Sequence, residues 1–94
     1  MALHPMGYEL TQRAIRITYE RAVDAYTVES AVRYHSELVD LLAIEAMIVR
    51  MSDQNETTKK AAIDDITACA SYHRDVVDRL TDIIESNRQL SWRP

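Results

Sequence analysis

Two histidines and one cysteine are the residues whose types and spacing best suit chemistry. His35 and His73 each follow a tyrosine, and the nine-residue stretches that begin at those tyrosines share a pattern of apolar and charged residues. Cys69 lies four residues before His73, so the two side chains share one face of a helix. Imidazole and thiolate groups are typical zinc ligands. The three residues are therefore a candidate site for zinc or a similar transition metal, with a further ligand supplied by a second copy of the chain.

The same residues also have an interpretation without a metal, and we favour it. Two neutral imidazoles in a helix seam can bond to each other or to a neighbouring tyrosine, with Cys69 acting as a small apolar residue. No glycine-rich turn near Cys69 offers an oxyanion site, and no other catalytic motif is present. The sequence therefore predicts no catalytic residue and a protein that is not an enzyme.

Helices must position these residues, because helix breakers are confined to the two ends. Gly7 is the only glycine, and the prolines are Pro5 and Pro94. Two stretches carry apolar or histidine positions at alternating steps of three and four, as a helix seam does: Val28, Val32, His35, Val39, Leu42, Ala46 and Val49, then Ala62, Ile66, Cys69, His73, Val76, Leu80 and Ile83. Around a turn at 52–57, positions whose numbers add to about 108 face each other. His35 and His73 are predicted to be adjacent.

The predicted fold is all-α: an antiparallel helical hairpin with an additional N-terminal helix. The expected helices are 8–26, 28–51 and 57–87, within a single domain at 8–89. Residues 1–7 are expected to be a flexible arm, and 90–94 a C-terminal tail. Thr27 is the expected N-cap of the second helix, and Asn55 or Thr57 that of the third. A single continuous helix from Tyr8 to Met51 is the alternative for the first half.

The segment from Leu38 to Met51 is apolar almost all the way round, so it needs more neighbours than one hairpin supplies. We expect a homodimer or larger assembly, since a chain of this size buries a small core. Glu45 within the segment is expected to pair with an arginine of the first helix or of a partner chain, with Arg13 and Arg16 as the candidates. Trp92, the only tryptophan, either inserts into a partner or folds back on its own bundle. The candidate interaction residues are Leu41, Ile44, Met47, Ile48, Met51 and Trp92.

Charge and hydropathy exclude several classes of partner. The chain has 15 acidic and 11 basic residues, and its net charge of −4 argues against nucleic acid and anionic lipid as partners. The longest apolar run, 41–49, is about half the length of a membrane-spanning helix. With one cysteine and no export signal, a cytoplasmic protein is expected. The predicted function is a small helical adaptor, inhibitor or regulator that acts as a homo-oligomer on an unidentified protein partner. A metal-binding or small-ligand-binding bundle is the alternative.

Overall fold

The chain forms three helices, and a computed structural model describes it from residue 5 to residue 92, with side chains from Gly7 to Gln89. The helices are α1 (Pro5–Val23), α2 (Val28–Arg50) and α3 (Glu56–Trp92). No strand occurs in this range. The prediction of an all-α protein is confirmed.

Side-chain caps fix the starts of α2 and α3. Thr27 Oγ1 accepts a hydrogen bond from the Ser30 backbone N–H at 3.0 Å, which satisfies one of the free amides of the first turn of α2. Asn55 Oδ1 does the same for Thr58 N–H at 2.8 Å at the start of α3. Because α1 ends at Val23 and Thr27 caps a new helix that begins at Val28, the predicted break after the first helix is confirmed and the continuous helix is excluded.

The ends of α1 and α3 differ from the prediction. α1 begins at Pro5, inside the predicted arm, because proline suits the first turn of a helix, where no N–H is needed. It ends at Val23 rather than at Tyr26. α3 continues to Trp92, through most of the predicted tail, since no glycine or proline lies between Asn87 and that residue. Residues 1–4 and 93–94, and the side chain of Trp92, lie outside the described part.

α2 is the central helix, and both α1 and α3 pack against it. Its inner face holds most of the buried side chains: Leu38, Leu42, Glu45, Ala46 and Val49. At one end, Lys59 Nζ donates a hydrogen bond to the Arg50 carbonyl oxygen at 3.1 Å. Further along, His73 contacts His35. Both contacts fit the register in which residue numbers add to about 108.

The face of α3 that meets α2 keeps five of its seven predicted positions, since these residues are buried or half-buried: Ala62, Ile66, His73, Val76 and Leu80. Cys69 and Ile83 are exposed, whereas Ala70 and Ile84 are half-buried. The predicted places of Cys69 and Ile83 in the seam are therefore wrong. The sequence is ambiguous at these points because the adjacent pairs Val76-Val77 and Ile83-Ile84 allow either residue to occupy the seam.

The described residues span 61 × 22 × 17 Å, a shape set by the length of α3. At 1.5 Å per residue, α3 is about 56 Å long and α2 about 35 Å, so the C-terminal part of α3 extends past the start of α2. Within 5–92, no helix has both the length and the hydropathy needed to cross a membrane.

Candidate functional site

His35 and His73 lie against each other where all three helices meet. Their Nδ1 atoms are 2.9 Å apart, and their ring centroids are 5.0 Å apart. At this distance one Nδ1 carries the proton and donates, while the other accepts, so the two rings are in different neutral tautomers or share a single added proton. If both Nδ1 atoms carried a proton, two donors would face each other and no hydrogen bond could form between them. The predicted contact between the histidines is confirmed.

Two tyrosine rings complete this group, which we call the histidine cluster: Tyr19, His35, Tyr72 and His73. Tyr19 of α1 meets His73 edge-on with centroids 6.3 Å apart, and Tyr72 of α3 does so at 5.2 Å. Both tyrosines are exposed, but His73 is only 4% exposed. The two tyrosine rings therefore shield His73 from water, while Nδ1 of His35 remains its hydrogen-bond partner.

Burial lowers the pKa of both histidines below the ordinary value of 6.5. For His73, the charge of a protonated His35 lowers the pKa further. Desolvation disfavours the charged imidazolium, and a second positive charge at van der Waals distance opposes it again. The cluster is built to hold neutral imidazoles.

Cys69 is not part of this cluster. Its side chain is exposed, whereas the next residue, Ala70, is half-buried. Among residues with described side chains, no group of three His, Cys, Asp or Glu residues is arranged to hold a metal ion. The set of His35, His73 and Cys69 predicted from spacing is therefore not assembled within one chain.

Glu45 is buried in the apolar segment of α2, as predicted, but its partner is not an arginine. Gln12 of α1 donates a hydrogen bond from Nε2 to Glu45 Oε2. Burial raises the pKa of the Glu45 carboxyl, and the bond from Gln12 partly counters that rise. The predicted pairing with Arg13 or Arg16 is therefore wrong. The neutral amide of Gln12, one residue before Arg13 on the same helix, takes the place of the arginine, and nothing in the sequence pattern distinguished Gln12 from Arg13.

The opposite face of α2 is apolar and open. Ile44, Met47 and Met51 are 46%, 58% and 52% exposed, and their spacing of three and four places them in one row. We call this row the outer strip. Leu41 and Ile48, also predicted as interaction residues, are half-buried at its edge. Trp92 is the last residue of α3, and its side chain is outside the described part.

The edge of α1 next to this face is also apolar. Ile17 lines the same groove as Ser30 and Tyr34, which share the side of α2 that carries Leu41 and Ile48. Leu10 lies seven residues before Ile17 on the same side of α1, and both are exposed. Leu10 and Ile17 are therefore further exposed apolar side chains, which sequence analysis of α2 alone missed.

Comparison of the chain with protein-family models, with curated proteins and with solved structures finds no match in any of the three. The histidine cluster and the outer strip are therefore the basis for assigning a function.

Proposed function

We propose that this protein is a non-enzymatic helical interaction module: a helical hairpin with an N-terminal helix that assembles into a homo-oligomeric bundle and acts as an adaptor, inhibitor or regulator of another protein. The outer strip is the observation that carries the proposal. Its three large apolar side chains are about half exposed, although they lie on the central helix of the fold.

The physical argument is the cost of leaving this row in water. Each Å² of apolar surface removed from water stabilises a complex by about 25 cal/mol, and contiguous apolar patches on a monomer are commonly interaction sites. Methionine is over-represented on such surfaces because its flexible thioether side chain fits partners of different shape. The strip has two methionines, at Met47 and Met51.

The experiment compares two isoleucines of equal exposure. Ile44 in the strip is 46% exposed, and Ile83 on α3 is 45% exposed. Light scattering should show an oligomer for the wild type and for Ile83→Glu, and a monomer for Ile44→Glu. Circular dichroism should show the same helical content in all three, since neither position is buried. A wild type that is monomeric at about 50 µM, where interfaces of micromolar affinity are mostly occupied, would contradict the proposal.

The contact between His35 and His73 favours a second candidate, a bundle that binds a metal or a small ligand. Two imidazole nitrogens bound to one tetrahedral zinc ion at about 2.0–2.1 Å would be roughly 3.3 Å apart, which is close to the observed 2.9 Å. Between Gly7 and Gln89, where side chains are described, only two ligands come together, so further ligands would be needed to complete the coordination.

Metal analysis of protein purified without a histidine tag separates the two candidates. A metal-bound bundle contains near-stoichiometric zinc, copper or nickel, and a chelator at pH 7.5 lowers its melting temperature while leaving a His35→Gln/His73→Gln variant unchanged. An interaction module contains no metal and ignores the chelator.

A further inference from the structure

Charged residues of opposite sign flank the outer strip. Asp40 lies one helical turn before Ile44, and Arg50 lies between Met47 and Met51. Both are exposed. Neither makes an ion pair with another residue whose side chain the structure describes, although Arg74 of α3 lines the same shallow groove as Asp40, and Glu56, Lys59, Lys60 and Asp64 of α3 line a groove with Arg50. The face therefore carries an acidic residue before Ile44 and a basic residue beside Met51.

Because of this order, the face is complementary to the same face of a second copy that lies antiparallel to it. In an antiparallel pair of α2 helices related by a two-fold axis between Ile44 and Met47, each Ile44 meets the other chain's Met47, and each Asp40 lies level with the other chain's Arg50, within one residue. A two-fold interface repeats every contact, so the pair has two ion pairs around the four side chains of Ile44 and Met47, and each Met51 lies level with the other chain's Asp40. A parallel pair would instead set like charges together.

We propose that the outer strip is the dimer interface of this protein, with α2 packed antiparallel on α2 of a second copy and Asp40 of each chain paired with Arg50 of the other. The inference rests on the proposed function, since it names the occupant of the same surface. The occupant is a second copy because the order of charges along the strip matches its own reversal.

Charge reversal on the full-length protein tests this geometry. Asp40→Arg and Arg50→Asp each set like charges together at two points, so each should raise the dimer dissociation constant about tenfold or more. The double variant restores opposite charges and should return to within about threefold of the wild type. Arg74→Asp, which changes a charge beside Asp40 but outside the strip, is the matched control and should leave the dissociation constant unchanged.

Mixing the two single variants shows whether the charges meet between chains. The Asp40→Arg chain carries two cations at the strip and the Arg50→Asp chain two anions, so the mixture should form heterodimers when each variant alone is monomeric. Analytical ultracentrifugation of the separate and mixed samples measures this directly. An effect confined to one chain would give no recovery on mixing.

Three results are distinguishable. Heterodimers and rescue by the double variant support the interface. A dimer that ignores all the reversals contradicts it while leaving the proposed homo-oligomer in place. A wild type that is monomeric at every concentration, with Ile44→Glu behaving identically, contradicts both the dimer interface and the homo-oligomer. The strip would then be a binding site for a different protein.

Discussion

Both faces of the second half of α2 carry large apolar side chains, and the two faces differ in what covers them. Leu42, Ala46 and Val49 on the inner face are buried by the other two helices, whereas Ile44 and Met47, within two residues of them, are about half exposed. A helix that is apolar on several sides needs several neighbours, and within the described residues α2 has two. The side of α2 away from α1 and α3 is therefore the side left open.

The inner face should dominate the stability of the monomer. Leu38 is 1% exposed, so Leu38→Ala removes a fully packed side chain and leaves a cavity, and we expect it to lower the free energy of unfolding by about 3 kcal/mol. Leu10→Ala is the control, because Leu10 is 55% exposed on α1 and its truncation should cost less than about 0.5 kcal/mol. Urea unfolding of dilute protein measures both, and equal losses would contradict the comparison.

The histidine cluster should make the inner side of the bundle sensitive to acid. Because the folded pKa of His35 and His73 lies below the ordinary 6.5, the unfolded chain binds more protons below that pH. Stability should be constant above about 6.5 and fall as the pH is lowered toward the folded pKa values. The double variant His35→Gln/His73→Gln should lack this fall and keep only the carboxylate transition near pH 4.

Thermal melts from pH 7.5 to 4.5 measure the acid limb. The single variant His35→Gln should keep part of it, because His73 stays buried while losing its charged neighbour. A wild-type melting temperature that does not change between pH 7 and pH 5 would show that the rings are solvated when folded.

Glu45 offers a smaller test on the inner face. Its pKa is raised, so the charged form is disfavoured in the folded chain at neutral pH. Glu45→Gln removes the charge and keeps an oxygen that accepts from Gln12, so it should stabilise the protein at pH 7 by about 0.5–1 kcal/mol. Since the raised pKa makes the folded carboxyl take up its proton first, the advantage should shrink as the pH falls. Glu37→Gln, on a more exposed part of α2, should change little, and an unchanged Glu45→Gln protein would contradict the burial argument.

The smallest expected effect is on the outer strip of the isolated chain. At concentrations low enough for a monomer, Met47→Ala should cost less than about 0.5 kcal/mol, whereas Leu42→Ala on the inner face should cost 2 kcal/mol or more, at the low end of about 2–5 for buried leucines. Both substitutions shorten an apolar side chain in the same half of α2. A comparable loss at Met47 in dilute protein would mean that the strip is covered within one chain.

Short-range features of the sequence predicted the helices, two of their starts and one contact between them. The absence of internal glycine and proline predicted three helices, and Thr27 and Asn55 fixed two of their starts. The alternating spacing of apolar residues predicted the contact between His35 and His73. These features depend on residues within a turn or two of each other, or on a register set by one short connection.

Features that depend on rotation between helices were not predictable in this way. At two points of α3 the seam passes to the next residue, Ala70 in place of Cys69 and Ile84 in place of Ile83, while His73 keeps its place. The choice of Gln12 over Arg13 beside Glu45 also depends on how α1 is turned. Cys69 is not beside the two histidines for this reason, since a set of ligands within one chain needs every member on the same side.

The position of α1 has a consequence for how the molecule opens. α1 packs on α2 and, within the described residues, meets α3 through the ring of Tyr19 on His73 rather than through backbone packing. Local unfolding of α1 would therefore leave the pairing of α2 with α3 in place. Amide hydrogens of α1 should exchange with solvent through this partial opening, well before those around Leu38 and His73, which require the whole fold to come apart. We therefore expect α1 (Pro5–Val23) to behave as a separate cooperative unit, and Glu45 to become accessible to water each time this helix detaches.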